Sequence, residues 1–325
     1  MGLWKLRLSM LGTLALIIGI STLLFTVVLS YIGTLSLFSL ITFVVGFNLI
    51  QWLVAPYIID MMYGVREAPR ESYPQLYRIV EGICSRTGLK MPRVMIASLP
   101  VPNAFAYGSP IAGTRVAVTE ALLSTLEEEE VEAVIGHELG HIKHRDVQVM
   151  MFASVLPAIF YYIGYSLMLS SWYRGGREEE QGPSAALLGF LFMAVYWVLT
   201  MLVLHLSRLR EYYADRFSAE NVPDGARKLM EALAKIVAFT GRLRPHLASE
   251  GARVGSFKAL FISDPDTADR DLAYLRRYMR DQELVRQILS KRITTADRIA
   301  ELFSTHPNIV KRLRALQELA KIAYV

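Results

Sequence analysis

Long uncharged runs divide this chain before any motif is considered. From Leu8 to Ile59 no residue carries a charge, and as one helix that run would be about 78 Å long, more than twice the hydrocarbon thickness of a bilayer. It must fold back, and Tyr31-Ile32-Gly33-Thr34 is the best turn, giving spans over 9–30 and 35–57. A second uncharged pair, Val147 to Tyr173 and Pro183 to Ser207, is joined by a polar connection from Arg174 to Gly182. Soluble core helices rarely run so long without a charge. The pattern predicts four transmembrane helices in two hairpins, 1–60 and 147–207. A cleaved signal peptide fits poorly, because the first run is too long and a second span follows directly.

The stretches 61–146 and 208–325 are water-exposed, and neither has a hydrophobic inventory that looks self-sufficient, so they should form one body. Pro92 to Ala97 and Arg115 to Thr119 read as strands, with a shorter one over Asn103 to Tyr107. The rest reads as helix, so the fold class is mainly α with a small β-sheet. Composition agrees: 53% of residues are hydrophobic and mean hydropathy is +0.32, yet 20% are charged, so the apolar residues are concentrated.

The net charge of +5 raises nucleic acid as a partner, but no basic stripe with interleaved aromatics and no nucleic-acid motif is present. A basic excess in a membrane protein reflects cytoplasmic flanks instead. Lys5, Arg7, Arg66, Arg70, Lys143, Arg145, Arg208, Arg210 and Arg216 fall on one side of a four-span layout, and Arg174 and Arg177 beside three glutamates on the other. The amino terminus, 61–146 and 208–325 are therefore expected in the cytoplasm of a multi-pass protein of the cell membrane. The single cysteine, Cys84, excludes an intramolecular disulfide framework and a cysteine zinc cluster.

Chemistry concentrates in His137-Glu138-Leu139-Gly140-His141. Thr125 and Glu128 suit a capping box, the acidic run at 127–130 suits a helix amino terminus, and Val131, Ile135, Leu139 and Ile142 form a helical stripe. His137 and His141 then lie one turn apart and can hold one ion, with Glu138 beside them to take a proton from water there. Gly136 and Gly140 would let neighbouring backbone approach closely.

Catalytic zinc takes three protein ligands and leaves one position open. A glycine at 144 and histidine at 147 would mark the metzincin pattern, but this chain has His144 and Val147. Glu211 is the better third candidate. His141 precedes the third span and Glu211 follows the fourth, so an antiparallel hairpin returns them to one membrane face. Asp215, four residues on, could orient a ligand imidazole.

These motifs, with Asn103-Ala-Phe-Ala-Tyr-Gly108 and Thr305-His306-Pro307, resemble the signatures of the HtpX-type membrane zinc peptidases, whose more distant cousin is the CAAX prenyl protease. The resemblance covers almost the whole chain. It implies a zincin-like (gluzincin) core, one zinc ion on His137, His141 and Glu211, Glu138 as base, and endopeptidase activity in membrane-protein quality control. Its partners would be polypeptide substrates and the bilayer. The stretch from Asp264 to Asp297 looks longer than the family norm and reads as charged helices.

His306 is either an electrophile at the developing oxyanion or a helix-start residue before Pro307, and Arg312 is a partner for an acid such as Asp215. His144, His205 and the loop-like His246 read as bland. Asn103, Ala104, Phe105 and Ala106 form either a connector or an edge strand that pairs with substrate. Two rivals to the endopeptidase stand beside it: a CAAX-type prenyl-peptide protease, for which the chain is small, and a non-catalytic scaffold with a structural metal site, which would close all four positions.

Overall fold

The computed structural model describes residues 37–174, 182–247 and 281–323. In chain order the elements are α1 (Leu37–Tyr63), β1 (Val65–Glu67), α2 (Pro74–Thr87), β2 (Arg93–Ala97), β3 (Ala104–Ser109), β4 (Gly113–Thr119), α3 (Glu120–Thr125) and α4 (Glu128–Lys143). Then follow α5 (Asp146–Arg174), α6 (Gly182–Asn221), α7 (Gly225–Leu247), α8 (Asp281–Leu289), α9 (Thr295–Leu302) and α10 (Ile309–Ala323). They divide between two compact units, one drawn from Met1–Gln51 with Met150–Val203 and the other from Trp52–Val149 with Leu204–Val325.

Among the described residues, three helices are long and apolar enough to cross a membrane, over Ile41–Tyr63, Asp146–Trp172 and Ala186–Asn221. Three thus stand where four were expected; the span over 9–30 and the turn at 31–34 lie outside the described residues. At most 24% of any apolar window is buried. That inverts a soluble helix and gives the outward apolar surface that lipid requires. In the first unit Val44 packs with Tyr161 and Tyr162, and the Tyr161 ring lies 5.2 Å from that of Tyr196. Helix α1 runs past its expected end at 57, because Asp60 finds partners there: the Tyr107 hydroxyl donates to it at 2.6 Å, and Arg115 ion-pairs with it.

The second unit is organised on a sheet of order β1-β2-β4-β3, with β2 and β4 parallel and the outer strands antiparallel. Alternation sends Val94, Ile96, Val116 and Val118 to the main core, with Val80 and Ile83 of α2, Ile135 and Leu139 of α4, Leu229 and Leu233 of α7, and Leu313 and Leu316 of α10. The opposite face holds a smaller cluster of Tyr63, Met95, Phe105, Tyr107 and Ala117. Both faces are covered, which explains the near-continuous burial along β2 and β4. Strand β1 is a three-residue addition that the sequence pattern did not indicate.

Strand β3 lies at the sheet edge. The Thr119 N–H donates to the Asn103 carbonyl at 2.9 Å, so with the register Phe105↔Ala117 and Tyr107↔Arg115 the odd-numbered residues bond β4. The N–H and C=O groups of Ala104 and Ala106 point away from the sheet.

One expected cap is corrected. Thr125 ends α3, donating its hydroxyl to the Ala121 carbonyl at 2.6 Å, and α4 is capped by Glu127 with Glu130. Glu130 Oε2 accepts the Glu127 N–H at 2.8 Å, so the box is built two residues later than Thr125-Glu128 suggested. Of the charged stretch from 264 to 297, α8 and the start of α9 are helical, and 264–280 lies outside the described residues.

Candidate metal centre

Helices α4 and α6 touch through glycine. A Cβ on Gly140 would lie 3.0 Å from Ala214 Cα and one on Gly136 would lie 3.0 Å from Ser218 Oγ, closer than side chains permit. The Ser218 hydroxyl also donates to the Ala133 carbonyl at 2.7 Å, fixing the register of the two helices. This close approach brings Glu211 to the histidine pair.

Nε2 of His137 and Nε2 of His141 are 3.1 Å apart, and Glu211 Oε2 and Oε1 lie 3.7 Å and 3.5 Å from them respectively. Donor atoms of these three residues all lie within 4.8 Å of one another. Tetrahedral ligands about 2.0–2.1 Å from a zinc ion sit about 3.3 Å apart, and the observed distances bracket that value. The donor set therefore fits a metal ion.

The far side of each imidazole strengthens the fit. Asp215 Oδ1 lies 2.9 Å from His137 Nδ1, and Asp146 Oδ2 lies 2.5 Å from His141 Nδ1. A carboxylate at Nδ1 fixes the proton there and leaves the Nε2 lone pair for a metal. Asp146 escaped the sequence reading because it stands five residues beyond His141, out of helical register. Helix α4 ends at Lys143 and Arg145 takes a left-handed φ of 55°, which turns Asp146 back toward the histidine. Arg210, one residue before Glu211, ion-pairs with Asp146 at 2.9 Å.

Arg312 is buried in the middle of this arrangement. Its Nε and Nη2 bond both Asp215 oxygens at 2.7 Å and 2.6 Å, and its Nη1 stands 3.1 Å from Glu211 Oε2. Sequence reasoning anticipated Asp215 as a partner but not Glu211. One guanidinium thus compensates two buried carboxylates, and their negative charge holds its pKa above the usual arginine value despite burial.

Glu138 is buried beside the histidines. Burial foremost, then the Glu211 charge, push its carboxyl up to about 7, against the lowering effects of His141, the Ala106 N–H that donates to it, and Arg312. That value suits a group that takes and returns a proton near neutrality. Burial, then the Arg312 charge, push His137 down to about 4, so its imidazole is neutral at pH 7, the form that binds metal.

His306 is also buried, with Nδ1 3.3 Å from Glu211 Oε2 but misaligned for a hydrogen bond, and neither ring nitrogen has a hydrogen-bond partner among the described residues. Its N–H donates to Ser304 Oγ at 3.1 Å. Asn103 is buried, its N–H donating to Thr119 Oγ1 at 2.9 Å, and Ala104, Phe105 and Ala106 follow in β3. His144 is exposed, its ring against Tyr213 and Phe217, and His205 is exposed on α6. His246 lies in α7 rather than in a loop.

The profile of peptidase family M48 matches residues 71–320. The chain belongs to that family. A protease HtpX homologue of Aeropyrum pernix is 38% identical over 320 residues, covering 96% of each chain. One from Thermoplasma volcanium is 36% identical over 320 residues, covering 97% of this chain and 95% of its own. Among solved structures, S. mikatae Ste24p shares the fold at a TM-score of 0.55 and 16% identity, over 96% of this chain and 66% of that one. This M48 member is a membrane-bound metalloprotease, and its substrates are polypeptides.

Proposed function

We propose that the chain is a zinc endopeptidase in which His137, His141 and Glu211 hold one ion and Glu138 is the general base. The observation that carries this reading is the donor geometry: two imidazole nitrogens 3.1 Å apart, each within 3.7 Å of a Glu211 carboxylate oxygen, with a buried acid next in sequence. A structural site would close the fourth position with a protein donor, and among the described residues the cluster holds three.

A zinc ion held there supplies Lewis acidity, making water acidic near neutral pH and polarising a peptide carbonyl. Glu138 takes the proton from the attacking water and returns it to the leaving amine. His306 serves as a donor to the oxygen on which charge develops, which its Nε2, buried with no hydrogen-bond partner among the described residues, supports. Asp215 and Asp146 hold the imidazoles, and Arg312 keeps Glu211 and Asp215 ionised side by side. The outward N–H and C=O groups of Ala104 and the outward C=O of Ala106, whose N–H is taken by Glu138, would bind extended substrate by backbone pairing, which suits chains of varied sequence.

The lysine and arginine bias of its flanks supports a cytoplasmic position for the protease body, 61–146 with 208–325. Membrane or misfolded proteins at that face are the proposed substrates, in protein quality control. Purified protein incubated with zinc and casein should cleave it, and Glu138→Gln should keep its zinc and lose cleavage. Cleavage by Glu138→Gln at the wild-type rate would remove Glu138 as the base.

A further inference from the structure

Helix α9 and its C-cap residue together expose three large apolar residues. Ile299, Leu302 and Phe303 are 51%, 52% and 44% exposed, at the i, i+3, i+4 spacing that makes a continuous stripe. Arg298, the residue before Ile299, and Arg292, in the segment before α9, are also exposed. Surface apolar residues scattered singly are ordinary, but three at one helical spacing mark a surface that something covers.

The position of α9 says what covers it. Arg208 Nη1 donates to the Glu301 carbonyl at 2.9 Å and the Ser304 carbonyl at 2.8 Å, closing the carboxy-terminal end of α9. Arg208 is the first charged residue after the uncharged run that ends at Ser207. The end of α9 is therefore held within one arginine side chain of the point where the uncharged run of α6 ends.

We infer that α9 is an in-plane membrane helix, seating Ile299, Leu302 and Phe303 in the interfacial layer of the bilayer with Arg292 and Arg298 among anionic headgroups. This rests on the reading of α6 as a membrane span. The seat bears directly on the metal centre. Ser304 holds the His306 N–H, Glu301 Oε1 accepts the Asn308 N–H at 3.1 Å, and Glu301 ion-pairs with Lys311. Lipid contact at α9 thus positions the loop that presents His306 and the start of the helix that presents Arg312.

The test is fluorescence quenching on the full chain in vesicles of phosphatidylcholine and phosphatidylglycerol. Cys84 is the single cysteine, so C84S gives a background for one bimane label at Leu302→Cys, Leu202→Cys or Glu128→Cys. Leu202 is 58% exposed on α6, and Glu128 is exposed at the far end of α4. Lipids carrying a nitroxide at the headgroup or a shallow acyl position should quench the Leu302 label at least roughly twofold more than the Glu128 label, and a nitroxide near the acyl terminus should not. Leu202 should be quenched by the deep nitroxide. Leu202 quenched with Leu302 at the Glu128 level overturns the inference while leaving the span intact. Leu202 unquenched overturns both. A Leu302 label shielded from aqueous iodide only at high protein density, without lipid quenching, assigns the face to a second copy and also overturns it.

Discussion

Replacing Gly140 by alanine tests whether the approach of α4 to α6 sets the metal geometry. The added Cβ would lie 3.0 Å from Ala214 Cα, 3.1 Å from Phe217 Cβ and 3.3 Å from the Ala214 carbonyl oxygen. None of these atoms can swing aside by a rotamer change. Carbon contacts settle at about 3.5–4.0 Å, so the helices must separate by roughly 0.5–1 Å, whereas metal–ligand distances tolerate about 0.2 Å. Stability alone is a poor readout, because alanine gains about 1 kcal/mol of helix propensity while overpacking costs about 1–3 kcal/mol. The net change in the metal-free protein is about 0–2 kcal/mol. Zinc affinity has no compensating gain, and losing about 1.4 kcal/mol or more there weakens it at least about tenfold. Competition against a chromophoric chelator reads this directly, and the zinc-induced rise in Tm shrinks with it. Gly136→Ala is the control. Its nearest contacts are Val222 Cγ2 at 2.7 Å and Ser218 Oγ at 3.0 Å, with the nearest backbone atom, Ser218 Cα, at 3.4 Å; the clash falls one turn further from Glu211, so zinc affinity should fall less than in Gly140→Ala. Wild-type zinc affinity in Gly140→Ala would refute the reasoning.

Three further substitutions probe the surroundings. Asp146→Asn removes the carboxylate at His141 Nδ1 and should weaken zinc binding about 10–100-fold with the fold retained by circular dichroism; unchanged affinity would show that the contact does not tune the ligand. Proline at 105 deletes a donor to β4 and should lower Tm, whereas proline at 104 deletes an outward donor and should lower casein cleavage with Tm and zinc content unchanged. Equal loss of Tm at both positions would contradict the edge-strand assignment.

The elements of the centre differed in how far the sequence revealed them. His137, His141 and Glu211 could be grouped because one relation is a helical turn and the other a membrane hairpin, both of which leave periodic signals. Asp146 could not, since its contact depends on a left-handed residue at Arg145. Arginine is an uncommon choice there, and no pattern marked it. Arg312 was readable as a partner for an acid, but its second partner, Glu211, comes from the packing of α10. The capping error at Thr125 has a similar origin, for a run of four glutamates offers several overlapping boxes and only the preceding helix α3 decides among them. Strands β2, β3 and β4 announced themselves by composition, whereas β1 is too short to show alternation.

The claim that one ion sits on His137, His141 and Glu211 is tested most directly by zinc K-edge absorption on the zinc-loaded chain. The account predicts one zinc per chain, a first shell of nitrogen and oxygen only at about 2.0–2.2 Å, multiple scattering from two imidazoles, and loss of one light-atom neighbour in Glu211→Ala. Sulfur in the first shell, one imidazole instead of two, or an unchanged spectrum in Glu211→Ala would contradict it.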